Sequence, residues 1–204
     1  FLEGEATSLV AQSKNPDSVK YAWVHTDMIK NPWTDKCYKN FEQEKEVYSK
    51  YDRVIAVSKS VKEAFEKKFE LPAQVVYNAL DEKEIERKTL LFEGNPKSEE
   101  ITRLISIGRL EKVKGFERLI EAFAELIKET PNVELYLVGD GSERSGLERL
   151  IVEKKVGDKV KLLGFKSNPY PYLKSSDVFV CSSYAEGFST VVTEALILGI
   201  PTVT

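Results

Sequence analysis

The sequence is poor in the residues on which metal, redox and nucleophile chemistry is usually built. Its 204 residues include two cysteines, one histidine and one methionine. Cys37 and Cys181 are far apart, with neither CxxC spacing nor the density of a disulfide scaffold, so they read as structural thiols of a reducing compartment. One histidine cannot form a His cluster for zinc, Asp27 has no second clustered ligand beside it, and no GxSxG turn marks a hydrolase nucleophile. Cationic excess is missing too. The 30 Lys and Arg against 33 Asp and Glu leave a net charge of -3, so there is no basic field to collect nucleic acid. No apolar run approaches the ~18 residues of a membrane span, and the first residues lack the basic-then-apolar order of a signal peptide, so the chain reads as soluble. The glycines fit neither the GxGxxG of a dinucleotide site nor the GxxxxGK[ST] of a P-loop.

What is present is a globular balance, 42% hydrophobic over a length that allows one large domain or two smaller ones. From residue 101 onward, β-rich apolar runs alternate with segments of helical period: "ITRLISIG", a helix from about Phe116, "VELYLVGD", a helix from about Glu143, "KVKLLGF", "DVFVCSS", a helix from about Thr190, and "IPTVT". That rhythm predicts a parallel sheet with crossover helices. In the first of these helices Phe116, Leu119, Ile120, Phe123, Leu126 and Ile127 fall on one face, and Pro131 marks its end.

Before residue 78, "VKYAWVH", "DRVIAVS" and "AQVVYN" read as strands, with a helix over roughly 38 to 50 and another at Ser60, where "SVKE" has the form of a capping box. Between the halves, the charged stretch "LDEKEIERKTLLFEGNPKSEE" reads as a linker. The expected organisation is therefore α/β, two lobes at 1–80 and 101–204 joined by a linker over 81–100. The chain opens on Phe1 and closes on a β-branched apolar run, and so reads as a piece of a longer protein with both lobes incomplete.

In an open parallel sheet, ligands sit outside the carboxyl ends of the strands. After "DVFVCSS" comes "YAEGF", then Ser189 or Thr190 as N-cap of the next helix. The amides of Gly187, Phe188 and Ser189 would point toward a cleft, and a helix start favours phosphate or other anions. Glu186 and Glu194 frame that segment. Glu186 taken alone is a first-turn acid that complements the dipole. Glu194, flanked by "VVT" and "ALIL", is the polar exception in an apolar helix and needs a partner such as a ligand hydroxyl or a cation.

A second loop, "SIGRLEKVKGF", carries Gly108, Arg109, Lys112, Lys114 and Gly115. Its cations suit a diphosphate, although by itself the stretch reads equally as an ordinary solvated basic loop. "VGDGSE" is a third strand-end turn, where Gly139 and Gly141 allow close backbone approach. His25, at the end of a predicted strand, reads either as a structural histidine or as one that bonds a substrate or moves a proton.

In order, "SIGRLEKVKGFERLIEAF", "LYLVGDGSE", "VKLLGF" and "DVFVCSSYAEGFSTVVTEALILGIPTVT" resemble the donor-binding lobe of family 4 (group 1) retaining nucleotide-sugar glycosyltransferases. That family has a GT-B fold of two Rossmann-like lobes. Its hallmark is a glutamate, seven residues and a second glutamate, here Glu186 and Glu194. "FLEGEATSL", "YAWVHTDMIKNPWT" and "YDRVIAVSKSVKEAF" resemble the latter part of the acceptor lobe of bacterial capsular and surface-polysaccharide transferases.

The resemblance implies that Glu194 binds the ribose hydroxyls, and that Glu186 with the amides of Gly187, Phe188 and Ser189 faces the transferred sugar and the diphosphate. Arg109 and Lys114 would hold the diphosphate and neutralise the leaving nucleotide without a metal. His25 would lie near sugar and acceptor. The implied partners are a nucleoside-diphosphate sugar and a glycan or lipid-linked acceptor, with no cofactor. The implied setting is the cytoplasm, peripheral to the inner face of the plasma membrane. A nucleotide-sugar epimerase of the same fold and a non-catalytic nucleotide-sugar-binding lobe are the alternatives. A dinucleotide oxidoreductase would share the fold class but lacks its glycine fingerprint here.

Overall fold

The computed structural model describes residues 3–15, 17–91 and 99–204. They divide into two units: the first takes the described residues up to Ala79 together with Ala185–Phe188, and the second takes those of Leu80–Tyr184 with Ser189–Thr204. Among the described residues, no helix is long and apolar enough to cross a membrane.

The first unit contains α1 (Glu5–Ala11), β1 (Tyr21–Val24), α2 (Phe41–Ser49), β2 (Arg53–Ala56), α3 (Lys59–Phe69) and β3 (Gln74–Val75), its sheet being parallel in the order β1-β2-β3. All three strands fall within the runs read as strands. The core gathers Val24, Tyr48, Val61, Phe65 and Phe69, and Tyr48, Phe65 and Phe69 pack their rings with centroids 4.9 to 5.2 Å apart. The capping box expected at Ser60 is displaced by two residues. Ser58 is the N-cap of α3, and its hydroxyl accepts from the Val61 amide at 3.2 Å. Val57 is still bonded to the sheet through Val24, so the first residue free to turn into the helix is Ser58, and the chain is already helical when it reaches Ser60.

The second unit runs α4 (Glu82–Thr89), β4 (Thr102–Ile107), α5 (Phe116–Glu129), β5 (Val133–Val138), α6 (Arg144–Glu153), β6 (Val160–Gly164), α7 (Tyr170–Lys174), β7 (Val178–Val180), α8 (Thr190–Ile197) and β8 (Thr202–Val203). Its five strands are all parallel, in the order β6-β5-β4-β7-β8. Along β5, Val133, Leu135 and Leu137 enter one core cluster while Tyr136 and Val138 enter another. Successive side chains leave a strand on opposite faces, and here both faces are covered, which is why the strands are continuous apolar runs in the sequence.

Two expectations need correction. Leu126 lies at the margin of the α5 stripe and is exposed, while Ala124 takes the buried place on the other side. The stretch read as a linker over 81–100 begins with a helix, α4, whose Ile85 is buried in the second unit's core. Asp81 caps it by accepting from the Glu84 amide at 3.0 Å, and Glu84 pairs with Arg87. Residues 92–98 of that stretch lie outside the described residues.

Candidate functional site

The carboxyl ends of β4 and β5 are built around glycine. Gly139 has φ 143, and a Cβ on it would overlap the Gly108 carbonyl oxygen, so the two strand ends approach more closely than any side chain at 139 permits. Gly108 N donates to Val138 O and Leu110 N to Asp140 O, both at 2.9 Å, and these bonds stitch the loop after β4 to the loop after β5. The methylenes of Lys114 cross Gly108, 3.7 Å from where its Cβ would lie. Gly115 has φ 63, and a Cβ there would overlap Ser182 O. Arg118 donates to Ser182 O at 2.7 Å and to Ser183 O at 3.0 Å, which ties the start of α5 to the end of β7.

This stitching opens a cleft of about 360 Å³ at the sheet edge. Gly108, Arg109 and Gly139 line it, and so do Phe165, Lys166 and Pro169 from the segment after β6. Arg109 is exposed and Lys114 partly buried beside Gly108. Phe165 and Lys166 went unremarked in the sequence. Phe165 is 75% exposed at the end of a strand whose other apolar residues are at least half-buried, and that exposed aromatic ring in "LLGF" was the available signal.

Glu194 lies just over one turn into α8. The α8 N-cap position falls at Ser189, as one of the two residues expected there, but no side chain caps the helix. The Ser189 carbonyl instead accepts from Thr193, through both its amide and its hydroxyl at 3.3 Å. Glu194 Oε1 accepts a hydrogen bond from the Tyr170 hydroxyl at 3.1 Å. Burial raises the Glu194 pKa above its ordinary value, and the Tyr170 hydrogen bond and nearby Lys88 oppose that rise. Burial and the adjacent carboxylate push the Tyr170 phenol up to about 12, so it stays protonated and donates.

The first unit holds the remaining expected residues. Gly187 packs on the His25 backbone, where a Cβ would overlap His25 O, and its carbonyl accepts from the Ser58 hydroxyl at 2.7 Å. Because a trans peptide points its C=O and N–H in opposite directions, this bond fixes the Phe188 amide to face away from Ser58. Phe188 packs against the first unit's core and against Tyr77, with ring centroids 6.2 Å apart. Glu186 is half-buried in the same segment. His25 is positioned by Glu3, whose carboxylate accepts from the His25 amide at 2.5 Å and the Thr26 amide at 3.0 Å. Burial lowers the His25 pKa, which disfavours the charged imidazolium, and the Glu3 charge opposes that shift. Asp27 has a structural role: its Oδ1 accepts from the Ile29 and Lys30 amides at 3.0 and 2.9 Å and closes a turn. Both cysteines are free. Among the described residues, no group of three His, Cys, Asp or Glu is arranged to hold a metal ion.

The second unit is thus an open parallel α/β sheet with a glycine-built cleft at its carboxyl edge, where such sheets place their ligands, and a glutamate in α8 bonded to Tyr170. The model of the family described as glycosyl transferases group 1 matches residues 87–204, and the chain belongs to that family. It is 34% identical over 157 residues to the N-acetylgalactosamine-N,N'-diacetylbacillosaminyl-diphospho-undecaprenol 4-alpha-N-acetylgalactosaminyltransferase of Campylobacter jejuni, across 74% of this chain and 40% of that protein. It is 40% identical over 99 residues to an uncharacterized glycosyltransferase of Methanocaldococcus jannaschii, across 48% of this chain and 24% of that one. The chain thus spans about a quarter to two-fifths of the length of these relatives. A mutant of S. aureus TarM in complex with Fondaparinux, alpha-GlcNAc-glycerol and UDP superposes with a TM-score of 0.75 at 19% identity, over 94% of this chain and 37% of that one. The fold, α/β with parallel sheets and crossover helices, is that of GT-B glycosyltransferases.

Proposed function

We propose that the second unit binds the nucleotide of a nucleoside-diphosphate sugar, and that the protein transfers that sugar, with retention and without a metal, to a glycan or lipid-linked acceptor in bacterial surface-polysaccharide synthesis. The observation that carries this reading is the cleft at the ends of β4 and β5. Gly108 and Gly139, whose backbones approach closely because neither carries a side chain, line it, and Arg109 lies on its rim. A diphosphate suits Arg109 and Lys114, the first as a planar fork and the second as a point charge. The ribose hydroxyls suit Glu194, a half-buried carboxylate with acceptor capacity beyond its bond to Tyr170. The amides of Gly187, Phe188 and Ser189 with Glu186 take the sugar and the phosphates, and His25 serves sugar or acceptor. These are the roles that family resemblance assigns. Relatives support the substrate classes: the TarM complex contains UDP, and the C. jejuni relative is named for a polyprenol-diphosphate acceptor. A lipid-linked acceptor would bring the protein to the inner face of the plasma membrane from the cytoplasm.

The test is a calorimetric titration of the chain with UDP, GDP and ADP beside its Glu194→Ala and Arg109→Ala variants. A hydrogen bond to a charged group contributes ~1.5 to 3 kcal/mol, so each substitution is expected to weaken the preferred nucleotide by roughly tenfold or more. Unchanged affinity in the folded Glu194→Ala chain removes the ribose assignment. Unchanged affinity in Arg109→Ala removes the diphosphate one.

A further inference from the structure

Glu194 carries three side-chain torsions and stands in the middle of α8, so on its own it would sample several rotamers. Among the described residues, the Tyr170 hydroxyl is the hydrogen-bond partner of its carboxylate. Tyr170 is itself firmly held. It opens α7 directly after Pro169, which lines the cleft, and its ring packs against the core that contains Ile85, Leu173 and Ala195. Asn168 braces the same turn: its Oδ1 accepts from the Tyr170 amide at 3.4 Å, and its Nδ2 donates to Lys88 O at 2.9 Å. Lys88 Nζ lies 5.9 Å from the Tyr170 ring centroid. The phenol is thus a firmly held donor, and the residue before it, Pro169, lines the cleft.

We propose that Tyr170 is the positioning residue that aims Glu194 at the ribose, and that this pair makes the site select ribonucleotides over 2′-deoxyribonucleotides. The proposal rests on the nucleotide reading above. A carboxylate offers about four lone-pair sites. Tyr170 occupies one on Oε1, so the others are fixed in direction before a ligand arrives and can accept both hydroxyls of a vicinal diol. A ligand lacking one of those hydroxyls leaves a half-buried carboxylate oxygen short of a donor, the arrangement by which a polar site rejects an analogue. A fixed carboxylate also saves the ordering of a flexible side chain on binding. The hydroxyl donates to the charged form of Glu194 and so opposes the effect of burial.

The experiment titrates UDP against 2′-deoxy-UDP, and GDP against 2′-deoxy-GDP, into the full chain and its Tyr170→Phe and Glu194→Ala variants, with circular dichroism confirming matched folds. The parent chain is expected to favour the ribo form, and Glu194→Ala to abolish that preference. Tyr170→Phe is expected to weaken the ribonucleotide by about fivefold or more, as loss of a hydrogen bond to a charged group implies, while the deoxy form changes less than about twofold. If Glu194→Ala lowers affinity and preference while Tyr170→Phe leaves the ratio intact, the nucleotide reading stands and the positioning role is overturned. If Glu194→Ala changes neither, or no nucleotide binds the folded parent, both fall. A ligand-free readout is independent of these: a 13C NMR titration of the Glu194 carboxyl is expected to show a higher pKa in Tyr170→Phe than in the parent. An unchanged value shows that the hydroxyl does not hold the carboxylate and overturns the proposal.

Discussion

At the scale of single residues, the site is shaped as much by missing side chains as by those present. Gly139 and Gly199 both take backbone angles in the left-handed half of the map, at φ 143 and φ 72, but their surroundings differ. A Cβ on Gly199 meets nothing within 4 Å, whereas one on Gly139 would overlap Gly108 O. Gly199→Ala is therefore expected to cost about 1 kcal/mol, the penalty of a left-handed L-residue. Gly139→Ala must also drive β4 and β5 apart, and is expected to cost about 3 kcal/mol or more. Urea denaturation of the two variants measures the difference, and equal losses would show that the close approach of Gly108 and Gly139 does not constrain the fold. From "VGDGSE", Gly139 was legible as a strand-end glycine that allows close backbone approach. The carbonyl it faces was not, because Gly108 lies on another strand, brought alongside by the sheet.

At the scale of elements, the strands of both sheets and helices α2, α3, α5, α6 and α8 could be read from period and turn residues. α1, α4 and α7 could not. In α4 the sequence "EKEIERKT" offers only Ile85 to the core, so its apolar stripe is too thin to stand out. The overlooked signal was its cap, Asp81 with Glu84 three residues on. α7 is five residues long and contains Pro171, which conceals it from any periodic reading. The start of α3 illustrates a local choice settled by the sheet. Ser58 caps the helix and also donates to Gly187 O, while the Ser60 hydroxyl lies 3.0 Å from that of Ser58. Ser58→Ala is expected to cost about 1 to 2 kcal/mol, a lost cap plus part of a buried hydrogen bond. Ser60→Ala should stay within about 0.5 kcal/mol, as surface substitutions do. Thermal melts of the two variants decide it, and a larger loss for Ser60→Ala would return the cap to the position the S-x-x-E pattern suggests.

At the scale of the whole molecule, chain order and spatial grouping part company at one place. Ala185–Phe188 sits in sequence between β7 and α8 of the second unit yet packs with the first. The glutamate-to-glutamate motif therefore contributes to both units, something spacing alone cannot reveal, because it depends on Ser58, His25 and Tyr77, more than a hundred residues upstream. The same scale bears on charge. With a net charge of -3, the molecule as a whole repels a nucleoside diphosphate, but at physiological salt a field is screened beyond about 8 Å. Affinity must then come from groups at the site, and the cations beside the cleft include Arg109, Lys114 and Lys166. If these suffice, a chelator should leave the UDP affinity unchanged within about twofold, while added Mg²⁺ or Mn²⁺ should not improve it. Raising the salt from about 0.05 to 0.5 M should weaken binding several-fold, because exposed Arg109 is only partly shielded from counterions. Binding that disappears with the chelator and returns with the divalent cation would transfer the charge-neutralising role from the arginine and lysine to a metal, and with it the proposed means of stabilising the leaving nucleotide.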